Sequence, residues 1–249
     1  MLRKNILITG ASSGLGEGMA REFAERGRNL VLCARRTERL SQLAEELKAA
    51  HPGSRIAIKT LDVNDHDQVF RVFREAADEL GSIDRAIVNA GLGKGQAVGT
   101  GYFYANKQTA ETNFVAALAQ CEAAVELFRK QNAGHLVTIS SMSAMRGFPG
   151  SVTTYAATKA GLAALTEGIR ADLMRTPIKV TTIFPGYIET EMNARIKNKP
   201  FVVDVEVGSR ALVRAIEKEP ATACVPAWPW TAIGLLMRTL PLRVLARAR

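Results

Sequence analysis

The sequence predicts an α/β fold: one doubly wound parallel sheet of about seven strands with helices on both faces. Three observations predict it. Short apolar runs alternate with longer amphipathic stretches along the chain. The short runs are rich in Val, Ile and Leu on both faces, as strands covered from both sides require. A glycine-rich turn separates the first run from the first helical stretch. Right-handed crossovers between parallel strands then wind the helices onto both faces.

Each element follows in order. Residues 5–9 form a buried strand and 16–26 a helix. Residues 30–34 are a second strand; 37–50 form a helix with Leu40, Leu43, Ala44 and Leu47 on one face. A third strand at 56–61 precedes a helix at 65–80, which Gly81 ends. Residues 83–89 are a fourth strand, 109–129 a helix and 136–140 a fifth strand. A helix at 155–174 leads to a sixth strand at 180–184, and a helix at 210–217 to a short last strand at 223–225. No repeat, linker or low-complexity stretch divides the chain, so residues 1–226 read as one domain and 227–249 as an apolar, basic tail.

At 249 residues, 47% hydrophobic and 23% charged, the chain has the make-up of an ordinary globular protein, not of a disordered one. Cys33, Cys121 and Cys224 lie far apart without a CxxC, which disfavours a disulfide framework and a structural zinc site and fits a reducing, cytoplasmic setting. His51, His66 and His135 form no metal-binding motif, so no metal is expected. The formal charge is +9. From Pro220 onward there is no acidic residue and there are four arginines, Arg238, Arg243, Arg247 and Arg249. The remaining charge is of mixed sign, and no basic run interleaved with aromatics suggests nucleic-acid binding. The apolar residues 6–8 run straight into Thr9-Gly10, as a strand would and a signal peptide would not, and no window is long enough to span a membrane.

The first strand-to-helix turn reads Thr9-Gly10-Ala11-Ser12-Ser13-Gly14-Leu15-Gly16. Glycines let backbone N–H groups approach a pyrophosphate, and the following helix presents its positive end to the anion. The spacing is GxxxGxG rather than GxGxxG, which marks a different branch of dinucleotide binders. The second strand ends Ala34-Arg35-Arg36. An acid there would bind the ribose 2′-OH of NAD; an arginine suits the 2′-phosphate of NADP. The pair therefore points to NADP(H), with Arg35 the first choice and Arg36 its neighbour.

Tyr155 and Lys159 stand at i, i+4 on one helix face. A nearby ammonium stabilises a phenolate, so Lys159 is expected to draw the phenol down from its usual value near ~10. Such a tyrosine can hand a proton to a carbonyl oxygen or take one from an alcohol. Ser141 follows the fifth strand and Asn89-Ala90-Gly91 ends the fourth, both at the carboxyl rim of the sheet where ligands bind. Asn113 lies inside a helical stretch, where it is either a solvent-facing passenger or a local kink with a role.

Taken together, over residues 4–226, these motifs resemble the single-domain branch of the short-chain dehydrogenase/reductase family, a Rossmann-type fold. Thr9 to Gly16 matches its TGxxxGxG, Asp62-Val63 its adenine-ring contact and Asn89-Ala90-Gly91 its NAG. Asn113, Ser141 and Tyr155 with Lys159 match its helix Asn, its Ser and its YxxxK; Pro185-Gly186 matches its PG turn. The resemblance implies that Tyr155 is the general acid–base and that Lys159 binds the nicotinamide ribose. It implies further that Ser141 bonds the substrate oxygen, that Asn113 holds a relay water, and that Ile188 and Thr190 lie against the nicotinamide. It also implies a homo-oligomer, dimer or tetramer. The Ser141–Tyr155 interval is one residue longer than is usual in the family; an extra residue in 146–151 would account for it, with Ser143 the alternative to Ser141.

The expected function is an NADP(H)-dependent oxidoreductase interconverting a carbonyl and an alcohol on an apolar small molecule. The expected pocket comprises residues 141–149, 91–95 and 187–201, with Met142, Phe148, Tyr187 and Met192 as apolar wall. The alternative is a catalytically idle NADP-binding sensor or scaffold. The tail holds both tryptophans, Trp228 and Trp230, besides its arginines. It suits a short helix lying peripherally on a membrane surface, a subunit interface, or a cover over the substrate mouth.

Overall fold

The computed structural model describes residues 3–194 and 199–247. Residues 195–198 of the expected pocket loop, and Arg249 of the tail, lie outside the described residues.

Seven strands form the sheet: β1 (Asn5–Thr9), β2 (Asn29–Ala34), β3 (Ile56–Thr60), β4 (Arg85–Val88), β5 (Gly134–Ile139), β6 (Ile178–Pro185) and β7 (Thr222–Val225). All pair in parallel, in the order β3-β2-β1-β4-β5-β6-β7. The order reverses between β1 and β4, and the crevice at their carboxyl ends is the place where such sheets take ligands.

The helices are α1 (Gly14–Glu25), α2 (Thr37–Ala50), α3 (His66–Leu80), α4 (Phe103–Ala110), α5 (Ala116–Gln131), α6 (Thr153–Leu173), α7 (Val205–Glu217), α8 (Ala227–Thr239) and α9 (Leu242–Arg247). Alternation along β1 assigns the two faces: Leu7 joins the core under α3, α5 and α6, whereas Ile6 and Ile8 join the core under α1, α2 and α7. Every residue of β1, β2, β4 and β5 is buried, which is why these strands carry no polar alternation.

The helix expected at 210–217 begins earlier, at Val205, and two further differences from the sequence expectation have a visible local cause. The fourth strand is shorter because its start is fastened from the side: the Asp84 carboxylate accepts from the backbone N–H groups of Lys4 and Asn5, and Gln131 Oε1 accepts from Ile83 N. The expected helix at 109–129 is three pieces. α4 passes into a π-helical turn, Glu111–Val115, and then into α5. Asn113 sits inside that turn, 1% exposed. It is therefore the kink, not the passenger; π turns frequently mark functional sites.

Opposite the ligand rim, a buried ionic network closes the sheet. Arg85, 2% exposed, donates from Nε to His135 Nδ1 (2.8 Å) and lies 3.3 Å from Glu219, which also pairs with Arg3 (2.8 Å). Burial holds His135 neutral, well below its ordinary range, so it can accept from Arg85 while its other nitrogen meets Thr181.

The tail folds back onto the sheet. Trp230, Gly234 and Met237 of α8 are buried, and the two large side chains join Met142 and Phe184 in a third apolar cluster that includes Tyr187 and Phe148. Pro229 stands in the first turn of α8, where its missing N–H is not needed, and Pro241 separates α8 from α9.

Candidate active site

The crevice is stitched shut at its base by Thr9. Its hydroxyl accepts from Asn89 N (3.0 Å) and Ala90 N (3.2 Å), and Asn89 Nδ2 donates back to Thr9 O (2.9 Å). The ends of β1 and β4 then approach so closely that a Cβ on Gly10 (φ +65°) would lie 2.9 Å from Ala90 Cα. A Cβ on Gly16 would lie 2.2 Å from Gly10 O. These two glycines are therefore required by the turn's own packing, quite apart from any ligand.

Ser13 is the N-cap of α1, but its hydroxyl makes no cap bond; it accepts from Arg36 instead. Arg36 Nε also donates to Ser12 Oγ (3.1 Å). A guanidinium thus lies over the turn beside amides of a helix start, an anion-binding arrangement. Arg35, the first choice from sequence, is elsewhere: it is exposed and lies 3.8 Å from Asp62 Oδ2. Alternation at a strand end sends consecutive side chains to opposite sides, and here Arg36 is on the turn's side. One contact was not foreseen. Glu191 accepts from Arg36 (3.3 Å) and from Arg39 (2.7 Å). The i, i+3 spacing of Arg36 and Arg39 was the only sequence signal for this.

Asp62 accepts from Asn64 N (3.0 Å), and Val63 is buried in the core below it. Thr190 Cγ2 lies 3.3 Å from where a Gly14 Cβ would stand. Ile188 is 2% exposed and packs against Gly208 of α7, so its side chain serves the core. Pro185 ends β6 and Gly186 underlies Trp230: a Cβ there would meet the indole at 2.1 Å.

The candidate reacting groups are set by β5 and α6. Ser141 continues β5 in extended backbone and caps the 3₁₀ turn Met142–Met145. Its Oγ accepts from Ser143 N (3.1 Å) and Ser143 Oγ (2.9 Å). With both acceptor sites used, its own proton is left to donate outward. Ser143 is therefore the support and Ser141 the presented hydroxyl. Met142 is 4% exposed, beneath Gly234 and Trp230, and lies in the core rather than in a pocket wall.

Tyr155, half-buried, starts α6, and Ser140 Oγ donates to Lys159 O (2.8 Å) to fasten that helix to β5. Lys159 is 5% exposed; its Nζ donates to Ile139 O (2.8 Å) and lies 5.9 Å from the centre of the Tyr155 ring. A Cβ on Gly91 would stand 3.2 Å from Asn113 Oδ1 and 3.6 Å from Lys159 Nζ, so these three converge. Asn113 uses its side chain on Leu92, accepting from its N–H (2.7 Å) and donating to its carbonyl (2.9 Å).

Burial pushes the Tyr155 phenol up; the Ser141 hydroxyl pulls the other way, though no well-formed bond joins the two among the described residues. Burial draws Lys159 from 10.5 down to about 8. The sequence expectation of a phenol drawn down by Lys159 is not met here. The ammonium donates to a main-chain carbonyl, and loss of water disfavours the charged form of each group. No group of three or more His, Cys, Asp or Glu is arranged to hold a metal ion, and no helix is long and apolar enough to cross a membrane, among the described residues.

The short chain dehydrogenase family model matches residues 4–200. An uncharacterized oxidoreductase of Mycobacterium tuberculosis is 54% identical over 98% of this chain and 97% of its own. A short chain dehydrogenase/reductase from Burkholderia phymatum, solved with NAD, superposes with a TM-score of 0.84 at 21% identity, covering 96% of this chain and 94% of its own. An alcohol dehydrogenase from Thermococcus sibiricus, solved with 5-hydroxy-NADP, gives 0.79 at 24% identity, covering 89% and 95%. The last two speak for the fold alone, whereas the match across most of the chain and the full-length relative go further: this oxidoreductase belongs to the short-chain dehydrogenase/reductase family.

Proposed function

We propose that the protein is an NADP(H)-dependent oxidoreductase that interconverts a carbonyl and an alcohol on an apolar small molecule. The observation that carries the reading is the meeting of Ser141, Tyr155 and Lys159 at the same sheet rim as the Gly10–Gly16 turn. The residues fit a dinucleotide. Ser13 leaves the start of α1 without a side-chain cap, and Arg36 stands over Ser12 and Ser13, where an anionic phosphate would neutralise it. Gly10 to Gly16 would hold the pyrophosphate, Asp62 and Val63 would border the adenine, and Lys159 would take the nicotinamide ribose. Asn89, Ala90, Gly91, Pro185, Gly186 and Thr190 would line the path between them. A bound nicotinamide cofactor supplies or accepts the hydride.

The chain's own residues manage the proton. Tyr155, with its phenol held above the usual value, keeps its proton at neutral pH and delivers it to the oxygen of a carbonyl. Ser141, its acceptor sites filled by Ser143, donates to that same oxygen and fixes its position. Lys159 stays cationic below pH 8 and favours the phenolate that proton loss leaves. Asn113 fixes Leu92 and the turn beside Lys159, and a relay water there would return the proton. Phe148 and Tyr187, partly buried, pack against the Met142–Trp230 cluster that begins at the residue after Ser141, which supports an apolar substrate. Tyr155→Phe should abolish turnover of a carbonyl panel followed by NADPH absorbance while cofactor binding survives. Retained turnover would overturn the assignment, and absence of any turnover by the wild type would favour the idle sensor.

A second reading concerns the tail. Trp228 (80% exposed), Leu235 (71%) and Leu242 (61%) face outward from α8 and α9 beside Arg238 and Arg243, with no acidic residue in the segment. This supports peripheral contact with an anionic membrane surface. Trp228→Ser with Leu235→Glu should release the protein from phosphatidylglycerol vesicles in a sedimentation assay; unchanged sedimentation would reject the contact.

A further inference from the structure

Glu191 is a charged group beside the Gly10–Gly16 turn whose chemistry the proposed reaction leaves unused. It belongs to the segment after β6, far along the chain from the turn, yet its carboxylate bridges Arg36 (3.3 Å) and Arg39 (2.7 Å). Arg36 simultaneously holds the hydroxyls of Ser12 and Ser13. Thr190, next to Glu191, already lies against Gly14 at the head of α1. The set is complete without any ligand: two guanidiniums, two hydroxyls and one anion. A carboxylate and a phosphate dianion compete for the same guanidinium fork because both offer paired oxygens to it.

We propose that the Glu191 carboxylate is an internal rival of the cofactor's 2′-phosphate for Arg36 and its Ser12–Ser13 cradle, so that Glu191 sets how strongly the protein prefers phosphorylated over unphosphorylated cofactor. The proposal rests on the NADP reading above. A dinucleotide with a free 2′-hydroxyl leaves the Arg36–Glu191 bond in place, and Arg36 gives it nothing in return. A 2′-phosphate must displace the carboxylate from Arg36, and part of its binding is lost in doing so. Arg39, one helical turn on, retains the displaced carboxylate, which keeps the exchange local.

The wild-type chain, Glu191→Gln and Arg36→Ala are titrated calorimetrically with 2′,5′-ADP and with 5′-ADP. Glutamine keeps the shape and removes the charge, and the exposed position tolerates it. Exposed ion pairs are individually weak, so Glu191→Gln should tighten 2′,5′-ADP by about two- to fivefold and leave 5′-ADP unchanged. Arg36→Ala should weaken 2′,5′-ADP and not 5′-ADP. If the wild type binds 2′,5′-ADP no tighter than 5′-ADP, the NADP reading falls together with the rivalry; if it binds it tighter but Arg36→Ala leaves it unchanged, the phosphate is read elsewhere and only the rivalry falls. If Arg36→Ala weakens it but Glu191→Gln does not tighten it, only the rivalry falls. Weaker 2′,5′-ADP binding by Glu191→Gln would make the carboxylate a helper of the bound phosphate, and would equally overturn the proposal.

Discussion

Lys159→Met should expose the cost of keeping an ammonium inside the protein. Lys159 is 5% exposed, has one hydrogen bond, to Ile139 O, and has no carboxylate to balance it. Burial lowers it from 10.5 to about 8. At about 1.4 kcal/mol for each tenfold change in proton affinity, the folded state carries a penalty of about 3 kcal/mol while the amine is charged. The sign follows from linkage. A lysine lowered on folding binds its proton more weakly in the native than in the unfolded chain. Below pH 8 both states are protonated and the penalty is complete. Between pH 8 and 10.5 the unfolded chain holds more protons, so stability rises with pH. Other groups titrate over this range, and the difference between wild type and variant cancels them. Urea unfolding of both proteins, free of cofactor, at pH 7 and pH 10.5 should therefore show the wild type gaining about 3 kcal/mol on Lys159→Met, about 1 M in midpoint. At pH 7 the variant should be at least as stable as the wild type, and inactive. A difference that stays flat within about 1 kcal/mol across that range would refute the buried-ammonium argument.

Three further outcomes are expected. Ser141→Ala should lower kcat by about 10²–10³-fold, as loss of a donor to a developing oxyanion does, and Ser143→Ala by only about tenfold, since it supports Ser141; the reverse order would exchange their roles. Glu219→Gln should destabilise the fold by about 3 kcal/mol in urea at pH 7, because Arg85 would keep a buried charge without its carboxylate, and a loss below about 1 kcal/mol would mean that Arg85 is otherwise satisfied. Gly16→Ala forces a Cβ to 2.2 Å from the Gly10 carbonyl and should cost about 1–3 kcal/mol, read as a lower Tm, together with dinucleotide binding; an unchanged Tm would show that the turn can move aside.

Much of the site is local and therefore legible in the residues. Gly10, Gly14 and Gly16 follow a buried strand and lead into a helix, and that order already marks a turn suited to a phosphate. Tyr155 and Lys159 share a helix face through i, i+4 spacing alone. The position of Ser141 at the end of β5 was also readable, because Ser140-Ser141 continues the apolar run of that strand. What was not legible depended on partners distant in the chain. Arg35 and Arg36 are chemically equal in sequence, and only the direction of their side chains separates them. Met142 reads as a pocket residue until α8 is folded over it. The phenol's upward shift could not be foreseen either, because it comes from burial, not from the neighbour four residues on.

The sequence by itself determined the strand–helix alternation, the parallel sheet and the placing of Tyr155 and Lys159 on one helix face, since each rests on spacing within about one turn or one strand. Tertiary structure alone decided that Arg36 faces the Gly10–Gly16 turn, that Glu191 reaches Arg36, that Asn113 sits in a π turn at Lys159's side, and that the tail's inner face closes over Met142. The physical reason is range. Hydrophobic periodicity is written into neighbouring residues, whereas the pairing of charges and the loss of water depend on groups brought together only when the sheet is wound.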